Sequence, residues 1–138
     1  EKTMLKNDYL MEMIGAMCRA VSEIIFKRSK KEYAECHALA NDQYQSLLGM
    51  SLDMILSLPS ETVFDLLGNF GEIEPKKILT LVDLLKEDGE VFKAEDDEAT
   101  ADAIREKCED LLNLLDRYDL DDDVLAELDK RMTAFGID

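Results

Sequence analysis

Apolar side chains recur every three or four residues along almost the whole chain, the spacing of one face of a helix. Leu10, Met13, Ile14, Met17, Val21, Ile24 and Ile25 form the first such stripe. Met11 and Cys18 widen it, so the first helix is expected at the centre of the core. Asn7 and Asp8, both good capping residues, mark its expected start, and the stretch Lys27 to Lys31 its end. A second helix is predicted from about Lys31 to Leu48, with Tyr33, Cys36, Ala40, Tyr44, Leu47 and Leu48 along one side. Gly49 supplies the left-handed conformation that stops it. Leu52 to Ser57 reads as a short third helix closed by Pro59, and Ser60 with Glu61 opens a fourth through Val63, Phe64 and Leu67.

Gly68-Asn69-Phe70-Gly71 is the clearest loop signal. Pro75 then suits the first position of a fifth helix, where its missing N–H does no harm. Ile78, Leu81, Val82, Leu85, Gly89 and Phe92 make its stripe. Phe92 carries the period past Asp88-Gly89, so that pair is read as helix rather than turn. Glu95 to Glu98 is a polar connection. The sixth helix carries Ala101, Ile104, Cys108, Leu111, Leu112 and Leu115. Asp119 to Asp123 is an acidic break whose carboxylates suit the start of a last helix, which bears Val124, Leu125, Leu128, Met132 and Phe135 and ends at Gly136. No alternating strand pattern extends beyond a few residues. Short loops between consecutive amphipathic helices make neighbours antiparallel. The expected fold is all-α, six or seven helices in antiparallel hairpins, with residues 1–138 as a single domain.

Composition narrows the function classes. Apolar residues make up 46% of the 138 and charged ones 35%, with two prolines and six glycines, which excludes disordered and collagen-like chains. No apolar run reaches the roughly eighteen residues of a membrane span. The net charge of −16 repels phosphate backbones and anionic lipid surfaces, so neither nucleic acid nor membrane is an expected partner. The charge is uneven. Residues 1–60 hold eight acids and seven bases, whereas residues 61–138 hold twenty-four acids and nine bases. Lys27, Arg28, Lys30 and Lys31 cluster where cations complement a helix C-terminus; the alternative role is a dock for an acidic partner or for the acidic half of a second copy. Cys18, Cys36 and Cys108, odd in number and near periodic apolar positions, read as reduced thiols in a cytoplasmic protein. Glu12 interrupts the first apolar stretch, so no leader peptide is expected in the sequence as it stands.

Candidate chemistry is sparse. His37 is the single histidine, and its neighbour Cys36 points about 100° away on a helix, so a Cys–His pair is not expected from them. One histidine cannot supply the paired motifs of di-iron bundles, and the cysteine spacings do not suit zinc. An EF-hand started on Asp119, Asp121 and Asp123 would need glycine and glutamate where Val124 and Lys130 stand, so the acidic run is read as the solvated start of a helix. No glycine loop of a phosphate-binding type is present. Met13 and Met17 fall on the first helix's apolar stripe and are read as core filling. No catalytic, cofactor-binding or metal-ligating residue is nominated, and no cofactor is expected.

Residues Leu85 to Leu112 resemble a degenerate tetratricopeptide repeat. Gly89 takes the small position of its first helix and Phe92 the aromatic one, while Ala101 and Cys108 take small positions of the second helix. Asp88, Asp96, Arg105 and Asn113 depart from the leucine, turn glycine, aromatic and proline of the pattern. Residues 33–49 give a fainter echo. The opening Lys6-Asn7-Asp8-Tyr9-Leu10-Met11, the hairpin end Leu47-Leu48-Gly49 and Leu58-Pro59-Ser60 together resemble a family of small bacterial helical proteins of unknown function. That resemblance implies a fold and no catalytic residues. The expected function is non-catalytic: a scaffold or adaptor that binds a protein partner through a helical groove or a charged face. The alternative is an acidic mimic that occupies a basic nucleic-acid-binding protein.

Overall fold

The computed structural model describes residues 2–68 and 71–137, with side chains from residue 8 onward. Seven helices follow one another among these residues: α1 (Lys2–Ser29), α2 (Tyr33–Leu48), α3 (Leu52–Ser57), α4 (Ser60–Leu67), α5 (Pro75–Ala94), α6 (Glu98–Leu115) and α7 (Asp122–Ala134). None of them is long and apolar enough to cross a membrane. The fold is all-α, with antiparallel neighbours α1 with α2 and α5 with α6.

Helix α5 occupies the middle. It packs against α6 and α1 most extensively and also touches α2, α4 and α7. Ile78, Leu81, Val82, Leu84 and Leu85 are accordingly buried around much of its circumference. The buried apolar side chains form one cluster that draws on every helix.

Local chemistry explains most boundaries. Gly49 stops α2 at φ 67°, its N–H donating to the Gln45 carbonyl. Ser51 caps α3 by accepting from the Met54 N–H, and Pro75 starts α5 as expected. Asp97 caps α6 by accepting from both the Thr100 N–H and its hydroxyl. Asp121, Asp122 and Asp123 lie at the start of α7, where carboxylates favour the positive end of the helix dipole.

Three expectations need correction. Helix α1 does not start at Asn7 and Asp8 but runs through them from Lys2; the side chain of Asn7 lies outside the described residues. Nor is α1 central. It has α2 and α5 on one side only, so Met17, Ala20 and Ile24 are buried, while Met11 is 59% and Ile25 44% exposed and Cys18 faces out. Helix α2 begins at Tyr33 rather than Lys31, because Lys31 takes a left-handed conformation with φ 62°. Of the loop after α4, Gly71 has φ 82°, and Asn69 and Phe70 lie outside the described residues.

The basic cluster is built into the α1–α2 turn. Lys27 pairs with Glu32 and Glu35, Arg28 donates to Glu87 on α5 at 2.7 Å, and the Lys30 ammonium lies over the Phe26 ring. Asp96, at φ 64° in the α5–α6 turn, is the second non-glycine residue in left-handed backbone. Such a conformation costs an L-residue roughly 1–2 kcal/mol, partly offset by the entropy a glycine loses on folding. Lys31→Gly is therefore expected to stabilise the chain by about 0.5–1 kcal/mol, and Asp96→Gly by less because aspartate tolerates this region. Urea midpoints check this; a destabilised Lys31→Gly would mean the lysine side chain holds the turn.

Candidate functional site

Three places bring polar chemistry together. The first joins α2 to α5. His37 and Tyr44 stand two turns apart on one face of α2, and Asp88, Phe92 and Glu95 recur at helical spacing on α5. Where these faces meet, His37 Nδ1 is 2.7 Å from Asp88 Oδ1, and the Tyr44 hydroxyl donates to Asp88 Oδ2 at 2.8 Å. His37 Nε2 is bonded to Glu95 Oε1. The imidazole lies 4.2 Å from the Phe92 ring, which covers it. Asp88 is 1% exposed and Tyr44 fully buried.

Burial pushes the Asp88 carboxyl above its ordinary value, against the opposing hydrogen bonds from Tyr44 and His37. Burial lowers His37, but its bonds to Glu95 and Asp88 together outweigh that and leave it above 6.5. Tyr44 is pushed well above 10, first by burial and then by the Asp88 charge. In its protonated form the histidine donates to a carboxylate at each nitrogen. It has no free lone pair with which to take a proton from a nucleophile. Cys36 is no partner for it: the thiol points to the Ile24 carbonyl, and burial raises its pKa, which keeps it in the unreactive form. His37 is a satisfied histidine.

A raised histidine pKa stabilises the fold fully below 6.5, and that contribution is lost as pH rises through the folded value. Asp88 has the same sign at lower pH, since its folded value lies above 3.8. Unfolding free energy is therefore expected to fall as pH rises from 6.5 through the folded value of His37. Denaturation across that window, compared with His37→Gln, checks it; an equal slope in the variant would overturn the assignment.

The second place is a groove of about 260 Å³ between α5 and α6 that ends against α7. Its floor is made by Gly89, Ala101, Ile104 and Cys108. A Cβ at Gly89 would stand 3.3 Å from Ile104 Cγ2, so the missing side chain is what keeps this space open. Lys86, Lys93 and Arg105 on the rim outnumber Glu90 and Asp102, a local reversal of the chain's negative balance. Phe135 closes one end, its carbonyl accepting from Arg105 at 3.3 Å. Arg131 holds α7 in place through two 2.8 Å bonds to Asp83 on α5. Cys108 is buried and its thiol is pushed far up by burial, so it contributes shape and not reactivity.

The third is a cleft beside the α3–α4 elbow. Lys107, 7% exposed, crosses from α6 and donates to the Leu58 carbonyl at 2.6 Å and to Ser60 Oγ at 3.1 Å. Ser60 in turn donates to Asp110 at 3.1 Å. The ammonium spends its protons on backbone and hydroxyl oxygens, and the hydroxyl proton is already directed at a carboxylate. This pair therefore fastens the elbow to α6 and does not form an activated serine.

Sequence reasoning nominated Gly89, Ala101, Cys108 and Phe92 only as packing positions. The structure brings the first three to the groove and places Phe92 over His37. It missed Asp88, Glu95 and Lys107 as partners. Among the described residues no three His, Cys, Asp or Glu side chains converge on a metal-sized site. The chain is an all-helical small protein of seven helices among the described residues, and no family model, curated protein or solved structure matches it.

Proposed function

We propose that this chain is a non-catalytic protein-interaction domain, a cytoplasmic adaptor or scaffold whose α5–α6 groove receives a segment of a protein partner. The groove carries the reading: it is floored by small and apolar side chains, rimmed by charges, and kept open by a glycine. At about 260 Å³ it is below the usual range for small-molecule pockets, and its shape suits a row of side chains from a partner helix or strand. The resemblance to a tetratricopeptide hairpin gains support from the close approach of Gly89 to Ile104 and from Asp96, which adopts left-handed backbone where that pattern has its turn glycine. The three unpaired cysteines suit a reducing compartment.

A second reading, an acidic mimic of a phosphate array, rests on the exposed run Asp119, Asp121, Asp122 and Asp123. Capture from a bacterial lysate on immobilised protein separates the two. A partner that survives high salt and is lost with Ala101→Arg, which fills the groove from a half-exposed position, supports the adaptor. A basic partner that salt releases and Ala101→Arg retains overturns it in favour of the mimic.

A further inference from the structure

Asp88 and Glu95 share one cationic partner. His37 bridges them, and among the described residues no lysine or arginine pairs with either. On α1, Lys27 is engaged with Glu32 and Glu35, and Arg28 with Glu87. On α2, the Tyr44 hydroxyl reaches the ring through Asp88. Asp53 of α3 lines the same cavity of about 180 Å³ as His37 and Asp88, adding a third carboxylate and no cation. Among the described residues none from α1, α4, α6 or α7 lines that cavity.

A protonated imidazole has one N–H for each of its two carboxylates, whereas a neutral one has a single N–H for both. The two acceptors are unequal. The Asp88 side chain is 2% exposed and cannot exchange the ring for water, so it keeps the N–H. The Glu95 side chain is 35% exposed; it then faces a ring lone pair and has water available instead. Glu95 is also the residue that ends α5, its N–H donating to the Val91 and Phe92 carbonyls. The Asp97 N–H closes the turn on the same Phe92 carbonyl at 2.9 Å, and the Phe92 ring covers the imidazole. Between them Asp96 is held in left-handed backbone at φ 64°.

We infer that His37 is a proton-operated latch on the α5–α6 turn: protonated, it ties Glu95 to α2, and deprotonated, it releases that turn while Asp88 keeps α2 on α5. Because the two carboxylates hold His37 above 6.5, the latch is closed below that pH and opens as pH rises through the folded value. The strained backbone at Asp96 favours the released turn. Lys93 and Ala101, on either side of the turn, line the α5–α6 groove, so the released segment borders it. The latch stands whether or not the groove binds a partner.

Hydrogen exchange read by NMR tests this on the full chain, with the ring protons of His37 reporting its own midpoint. Protection of the Glu95, Asp96 and Asp97 amides, corrected for the chemical exchange rate, is expected to fall about tenfold above that midpoint, the worth of one charge-assisted hydrogen bond. Amides in the buried middle of α5 are expected to change less. Glu95→Gln is the decisive variant, since its amide accepts from the protonated ring and donates to the neutral one. In it His37 still titrates, and the fall in turn protection is expected to vanish. Turn protection that is unchanged across the midpoint overturns the latch. So does a fall of the same size in Glu95→Gln, or one shared equally by the middle of α5, which would report unfolding of the whole chain.

Discussion

Asp88→Ala is expected to remove about 2–4 kcal/mol of stability, the largest loss among single changes to a polar side chain. The substitution leaves the buried Tyr44 hydroxyl without its acceptor and strips His37 of one of its two carboxylates. It also opens space in the contact between α2 and α5. The expected loss stays below the sum of two charge-assisted bonds, because the carboxylate is itself costly to bury and its pKa is raised on that account. Asp88→Asn keeps an oxygen for Tyr44 and fills the same volume, so its loss is expected to be under half as large. Urea denaturation followed by circular dichroism reads both. A loss below about 1 kcal/mol for Asp88→Ala would place the cluster with exposed ion pairs and contradict its burial.

Gly89→Leu is expected to cost about 1–3 kcal/mol by overpacking. The first carbon of any side chain there already meets Ile104 Cγ2 at 3.3 Å, and the rest of an isobutyl group must displace Ile104 or fill the groove. Gly89→Ala is the control. Its single methyl meets one movable methyl, and the helix gains roughly 0.5–1 kcal/mol of propensity, so the two nearly cancel. The pair of variants therefore separates crowding from helix propensity. An unchanged melting temperature in Gly89→Leu would mean that α5 and α6 do not approach as described. If the groove is the docking surface, Gly89→Leu also abolishes partner capture while Gly89→Ala retains it.

What the chain states locally could be read from it, and what depends on distant residues could not. Pro59, Pro75, Gly49 and Gly136 punctuate helices through their own backbone preferences, and the boundaries they mark agree with the fold. The start of α1 was misread because a capping residue is only a preference of about 1 kcal/mol. No proline or glycine precedes Asn7 to enforce a break, so the helix continues to Lys2. The breadth of its apolar stripe suggested a central helix, but periodicity does not reveal how many neighbours a helix has. The polar cluster joins residues 51 and 58 positions apart, beyond any local pattern. A trace of it was nonetheless present: Asp88 sits in core phase between Leu85 and Phe92, as Lys107 does between Ile104 and Leu111. A charged residue in an apolar phase signals a partner elsewhere, although the sequence alone does not name it.

The central position of α5 sets an order in which the molecule comes apart. Its backbone amides lie beneath α1, α2, α4, α6 and α7, so no single neighbour can leave and expose them all. Exchange with deuterated water along its buried middle must therefore wait for the whole chain to open. Helix α7 touches only α5 and α6 to any extent and is held by one arginine pair and a few apolar side chains, so it can detach while the remainder stays folded. Protection should rise steeply from α7 to α5. Because α7 closes one end of the groove, the same detachment sets how fast that end opens.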